Sequence, residues 1–178
     1  MPQYYIALLA PEEINKQVLT WKNYMQQQYG CKTALKSPAH ITMIPPFIMH
    51  EEKEKDLHNA LTLFAKRPPL EVQLKNFASF EPRVIYVDVV PNDALQQCKT
   101  ELDDFLLPKT QFPIKKENRP FRPHITIANR DIPINSFDKA WEYFQAQQFE
   151  ADFTVPGLTL MKYNPDNWEK ASMAAFQP

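Results

Sequence analysis

The chain has 178 residues, 44% of them apolar and 12% aromatic, which is enough for one domain or for two small lobes sharing a core. Its 20 basic and 21 acidic residues leave a formal charge of −1, which argues against holding long nucleic acids by bulk charge. It has only two glycines, Gly30 and Gly157, so no G-x-G-x-x-G, P-loop or G-x-S-x-G can be written, and glycine-cradled nucleotide binding and the usual serine-hydrolase turn are excluded.

Gln3 to Ala10 reads as a strand, rich in tyrosine, isoleucine and leucine and stopped at Pro11. Pro11 suits a helix start, Glu12 and Glu13 favour its first turn, and Ile14, Val18, Trp21 and Met25 recur at helical spacing. Gly30 is the expected stop after Tyr29. His40 to Ile44 is predicted as a short strand ended by Pro45-Pro46. A helix follows from Glu51 to Lys66 with Leu57, Leu61 and Phe64 inward, then a strand from Leu70 to Phe80. Val84 to Val90 has the strongest strand composition in the chain. Asn92 or Asp93 caps a helix to Leu107 with Leu95, Cys98, Leu102 and Leu106 on one face. Pro108 to Pro123 reads as a loop, His124 to Ala128 as a strand, and the segment from Asn135 or Ser136 to Gln147 as a helix. Phe149 to Tyr163 and Glu169 to Phe176 are expected as two strands joined by Asn164-Pro165-Asp166-Asn167.

The order is strand, helix, strand, helix, strand, and then the same again with one strand added. Ala39-His40-Ile41-Thr42 and Pro123-His124-Ile125-Thr126, with histidines 84 positions apart, occupy matching places in the two halves. This reads as an internal duplication, with lobes of about residues 1–80 and 81–178. In a strand, residues i and i+2 share a face. His40 and Thr42 therefore point one way and Ile41 the other, and His124, Thr126 and Ile125 repeat the pattern. Lobes packed about a pseudo-two-fold axis would present two imidazoles and two hydroxyls to one cleft. A single H-x-T fits a structural histidine just as well; its recurrence at equivalent positions is the informative feature.

Such a set suits in-line attack on a phosphodiester. One neutral imidazole takes a proton from water or a ribose hydroxyl, and the other, as imidazolium, protonates the departing oxygen. Thr42 and Thr126 can donate to the non-bridging phosphate oxygens as charge builds there. Neither histidine has Asp, Glu or Cys beside it, threonine is a poor zinc ligand, and no metal or other cofactor is called for. His50 and His58 lie at or on an acidic helix and read as solvated surface. Pro108 to Arg130 holds Lys109, Lys115, Lys116, Arg119, Arg122 and Arg130 against Glu117 alone, a local positive patch suited to a phosphorylated substrate. Arg122 shares a face with His124 if the strand starts early, which makes it the first choice for a further phosphate contact. Phe121, Phe47, Tyr163 and Trp168 are aromatics near strand ends that could stack on a base. Arg130 and Lys162 are further candidates for substrate contact.

Cys31 and Cys98 form no C-x-x-C, which excludes a zinc knuckle or thioredoxin motif and suits a reducing cytosol. The N-terminal segment lacks the basic stretch of a secretory signal, and no apolar run nears the roughly 20 residues that span a bilayer. A cytoplasmic, monomeric protein without membrane attachment is expected.

The paired H-x-T motifs in a duplicated chain of this length resemble the 2H phosphoesterase superfamily, including the bacterial 2′-5′ RNA ligase-like proteins. Phe121-Arg122-Pro123-His124-Ile125-Thr126-Ile127-Ala128 is close to the second motif of that family, and Ser37-Pro38-Ala39-His40-Ile41-Thr42 is similar to the first. The resemblance implies an α+β, bilobal fold: two pseudo-symmetric lobes of antiparallel-rich sheet, helices outside, around a central cleft. It implies a cyclic phosphodiesterase that opens a ribose 2′,3′-cyclic phosphate, with RNA ligation as the reverse reaction in some members. His40 and His124 would be acid and base, Thr42 and Thr126 would bind phosphate, and the partner would be a small cyclic-phosphate nucleotide or an RNA terminus. Two departures stand out. Met43-Ile44-Pro45-Pro46-Phe47 replaces the glycine-containing turn of the RNA-ligase branch, and Asn129-Arg130 displaces the arginine expected after the second motif. The competing class is a nucleotide- or RNA-end-binding module with little catalysis; nothing singles out a protein-interaction domain. Which histidine is the base stays open at this level.

Overall fold

The structure, a computed structural model, describes residues 1–178. Eight strands and four α-helices follow in the order β1 (Gln3–Leu9), α1 (Glu12–Tyr29), β2 (His40–Ile48), α2 (Glu54–Phe64), β3 (Leu70–Phe80), β4 (Val84–Val89), α3 (Asp93–Leu106), β5 (His124–Asn129), α4 (Phe137–Gln145), β6 (Glu150–Val155), β7 (Gly157–Tyr163) and β8 (Trp168–Ala175). They form two antiparallel four-stranded sheets, β2-β1-β7-β8 and β5-β4-β3-β6. The α+β class and duplicated layout expected from the sequence are present. No helix is long and apolar enough to cross a membrane.

Local signals act where the sequence puts them. Gly30 ends α1 in the left-handed region at φ 73, and Asn92 caps α3 by accepting the Leu95 N–H at 2.9 Å. Three expectations are corrected. β2 does not stop at Pro45-Pro46 but runs on to Ile48. It is an edge strand, and its pairing with β1 slips between Tyr4 and Ile6, opposite the two prolines, so their missing N–H groups fall where the ladder is already broken. The C-terminal segment forms three strands, not two. Pro156 separates β6 from β7, and the chain there passes from one sheet to the other. For the same reason the sheets do not divide at residue 80. β3 pairs with β4, while β7 and β8 return to complete the sheet of β1 and β2.

One contiguous apolar cluster runs through both sheets, taking Tyr4, Ile6 and Leu8 from β1 and Leu74, Val87 and Ile125 from β3, β4 and β5. Tyr5 and Ala7, on the other face of β1, join Met161 in a second, small cluster with Leu9 and Trp168 packed against it. β1 is therefore buried on both faces, which explains its nearly unbroken run of buried residues.

Gly157 opens β7 where the backbones of β7 and β8 nearly touch: a Cβ added there would lie 2.3 Å from the Ala174 carbonyl oxygen. Gly157→Ala should therefore cost about 1–3 kcal/mol of stability, the usual penalty for overpacking. Urea unfolding measures it directly, and a neutral result would mean the strands can part at no cost.

Candidate active site

The H-x-T strands are β2 and β5, each at the edge of its sheet, and they pack against one another. The duplication extends to a local irregularity. Thr42 pairs with Ala7 and Ile44 with Ile6, leaving Met43 as an extra residue; Thr126 pairs with Tyr86 and Ala128 with Ile85, leaving Ile127 extra. A bulge directly after each threonine bends both strands at the same place and re-aims the side chains beside it.

Each histidine is held in the same way. The Nδ1 of His40 lies 2.7 Å from the Pro38 carbonyl oxygen, and that of His124 lies 2.6 Å from the Arg122 carbonyl oxygen. A carbonyl only accepts, so Nδ1 must carry the proton, and the Nε2 of the neutral ring is left with a free lone pair. Each imidazole also rests on a tyrosine of the neighbouring strand. His40 and Tyr5 have ring centroids 4.9 Å apart, as do His124 and Tyr86. Further aromatics back these pairs, with Trp168 4.5 Å from Tyr5 and Phe80 5.1 Å from His124. Thr42 and Thr126 are half-buried, and neither hydroxyl makes a hydrogen bond within the chain.

The electrostatics of the two rings differ. Burial pushes His40 down to about 4; its bond to Pro38 opposes this, while the charges of Lys22 and His124 add to it. The His124 contribution accords with the packing of β2 against β5, which carry the two motifs. Burial also lowers His124, but the Arg122 carbonyl and the Asp88 carboxylate both pull it back up. Strand register explains the difference: Asp88 pairs with His124, whereas the equivalent place opposite His40 is held by Leu9.

The remaining candidates separate. Burial and the Asp88 charge raise the Tyr86 phenol and the Arg122 charge opposes them, so Arg122 lies on the His124 side. Tyr163 packs 5.0 Å from Trp168 and accepts a hydrogen bond from Lys36 Nζ at 3.0 Å, which extends the aromatic row that begins at His40. Lys162 is removed from the cleft: it pairs with Tyr4 on the opposite sheet face and its Nζ is held by Glu51 at 2.5 Å and Glu54 at 2.7 Å. Phe47 also faces the core, 7% exposed and stacked with Tyr4. Phe121 packs half-buried on the main core, its carbonyl bonded by Gln96. Arg130 takes φ 53 just beyond β5, with its N–H bound to the Arg83 carbonyl. Of the basic loop, Lys109 lies over the Phe105 ring and Arg119 binds Glu117. Lys115 and Lys116 line a groove of about 460 Å³ with Ile44 to Ile48, and neither histidine is part of its lining.

Sequence reasoning missed Tyr5, Tyr86, Asp88 and Lys22. The first three are cross-strand neighbours of the motifs, visible only once register is known. Lys22 lies between Trp21 and Asn23 on α1, where a lysine reads as solvated surface, yet it is 4% exposed. Its Nζ donates to the Ser37 carbonyl at 2.8 Å, and the Asn15 Oδ1 on the same helix accepts the Ala39 N–H at 2.7 Å. Helix α1 thus fixes the backbone leading into His40 at two points while packing on β5 of the other sheet.

Solved structures with this architecture are found from end to end of the chain. E. coli LigT in complex with 3′-AMP is 22% identical, with a TM-score of 0.69 over all of both chains. TT0787 of Thermus thermophilus is 19% identical, with a TM-score of 0.67 over 98% of each chain. A structure described as a phosphoesterase is 22% identical, with a TM-score of 0.65 over all of both chains. At these identities the likeness concerns the fold. No curated protein matches the sequence. The family model of the 2′-5′ RNA ligase superfamily matches residues 10–167, a span that contains both H-x-T strands and the helix that braces them; the chain belongs to that superfamily, one of phosphoesterase-like enzymes.

Proposed function

We propose that the protein opens a 2′,3′-cyclic phosphate, on a nucleotide or an RNA end, by two-histidine acid–base catalysis. The observation that carries this reading is the repeated Nδ1 anchor: both rings are fixed in the tautomer that leaves Nε2 for proton transfer. His40 is the base. It sits near Lys22 with Leu9 opposite, is driven to the neutral form, and is free to take a proton from water. His124 is the acid, since Asp88 and the bound phosphate anion both favour its imidazolium. Water attacks phosphorus and loses its proton to His40 Nε2. The bond from phosphorus to the 3′ oxygen breaks as His124 delivers its proton to that oxygen, leaving a 2′-phosphate. A ribose 5′-hydroxyl in place of water would yield a 2′-5′ linkage through the same two transfers. Thr42 and Thr126 donate to the non-bridging oxygens, with Arg122 adding charge. That LigT was solved with 3′-AMP, ATP and NADP+ supports a small nucleotide as ligand for this fold.

His40→Ala and His124→Ala should each lower turnover of a 2′,3′-cyclic mononucleotide by about 10²–10⁴-fold, followed by phosphorus NMR in the presence of EDTA. Tight binding of a 2′-phosphate with no turnover by the wild type would instead identify a binding module, and unchanged turnover in the double variant would remove the mechanism.

The neutral His40 also sets a pH dependence of stability. Its folded pKa, about 4, lies below the ordinary 6.5. The unfolded chain therefore binds the proton first as pH falls, and native stability drops between those two values. His124 acts in the same direction. Urea unfolding at pH 7 and pH 4.5 should show a smaller acid loss for His40→Gln than for wild type; equal losses would mean that His40 is not held neutral.

A further inference from the structure

Lys22 is a buried cation without a counter-ion. The Ser37 carbonyl is its one hydrogen-bond acceptor in the chain, no carboxylate lies against it, and two of its three donors are uncommitted. It lines a pocket of about 300 Å³ whose other polar residues are Asn15, Lys36, Ser37 and Asn167, and whose aromatic wall is Trp168. No acidic side chain lines this pocket, in a chain whose net charge is −1. The Asn15 carbonyl oxygen is taken by the Ala39 N–H, but its amide N–H groups are free, as is the whole Asn167 side chain amide. The pocket borders the site. Pro38, in its lining, supplies the carbonyl that anchors His40, and Trp168 is joined to His40 through the Tyr5 ring. Behind the same wall lies the buried Tyr5, whose hydroxyl forms no well-aligned hydrogen bond; burial pushes its phenol up to about 12, with the Ser37 side chain opposing.

A buried ammonium is costly unless an anion answers it. Two lysines, free amide donors and an aromatic face beside a phosphodiester-cleaving centre match the chemistry of a nucleotide carrying more than one phosphate. We propose that this pocket takes a second phosphate of the substrate on Lys22, the 5′-phosphate of the nucleotide whose cyclic phosphate is opened between His40 and His124. The inference rests on the proposed reaction only for which phosphate is called the first. It makes the enzyme selective for RNA ends and 5′-phosphorylated nucleotides over nucleoside cyclic phosphates. Burial lowers the Lys22 amine to about 8, with no charged group of the chain offsetting the loss of water.

Calorimetry with adenosine 2′-phosphate and adenosine 2′,5′-bisphosphate tests the pocket without any turnover, so it can fail while the reaction stands, and the reverse. Wild-type protein should prefer the bisphosphate at least tenfold. Lys22→Met should abolish that preference, a ratio of two affinities in one protein that is read whatever the variant does to the 2′-phosphate affinity through its hold on the His40 segment, and Lys22→Arg should retain part of it. No preference in the wild type, preference surviving in Lys22→Met, or equal loss for both ligands would overturn the proposal, the last by placing Lys22 on the reacting phosphate. If neither variant folds, the Lys22 ammonium resonance of the wild type decides: it must shift with the bisphosphate and stay unmoved by the monophosphate.

Discussion

The site depends on one interaction made twice, the hydrogen bond from a histidine Nδ1 to the carbonyl two residues before it. Such a bond does three things. It selects the tautomer, it fixes the ring plane relative to its own strand, and it leaves Nε2 as the free nitrogen. Because acceptor and donor lie in the same short segment, the geometry is local and copies intact when the segment is duplicated. What duplication does not provide is the meeting of the two segments. That comes from both motif strands being sheet edges, with the bulges at Met43 and Ile127 bending each beyond its threonine. The exposed edges that a sheet ordinarily has to protect are used here to bring the two halves together.

On this symmetric frame the charges are arranged asymmetrically. Helix α1 belongs to one half by sequence yet packs on β5 of the other, and it carries Lys22 under His40. The Asp131 carboxylate after β5 reaches back to accept the Lys32 and Thr33 N–H groups at 2.6 and 2.8 Å, which ties the end of α1 to the second half. Opposite the two histidines, Leu9 and Asp88 hold equivalent places with unlike charge. Burial lowers both imidazoles, but only His124 has a carboxylate opposing it, so two copies of one motif differ in how strongly each is held neutral.

The motif itself was legible because period-two alternation puts His40 and Thr42 on one face whatever surrounds them, and the helix ends were legible because Gly30 and Asn92 act within one turn. What long-range pairing decides was not. Nothing local shows that β3 leaves the sheet of β1, or that Pro156 sends the chain back to it. Lys162 and Phe47 were misplaced for the same reason: their face depends on pairing with Tyr4, and for Phe47 that pairing follows a slip in register at the prolines. Tyr5 and Tyr86 were read as strand formers, although each is the bed of an imidazole. Pro45-Pro46 read as a stop because proline ends an interior strand; at an edge with a bulge it does not.

The most direct measurement is ¹⁵N–¹H NMR of the imidazoles in the free protein and during titration with a nucleoside 2′-phosphate. Both rings should show protonated Nδ1 in the free protein near neutral pH, and the Nε2 signals of His40 and His124 should move together, saturating at one ligand per chain. A ring in the Nε2–H form, or two rings that respond at different stoichiometries, would contradict the account of a single phosphate held between them.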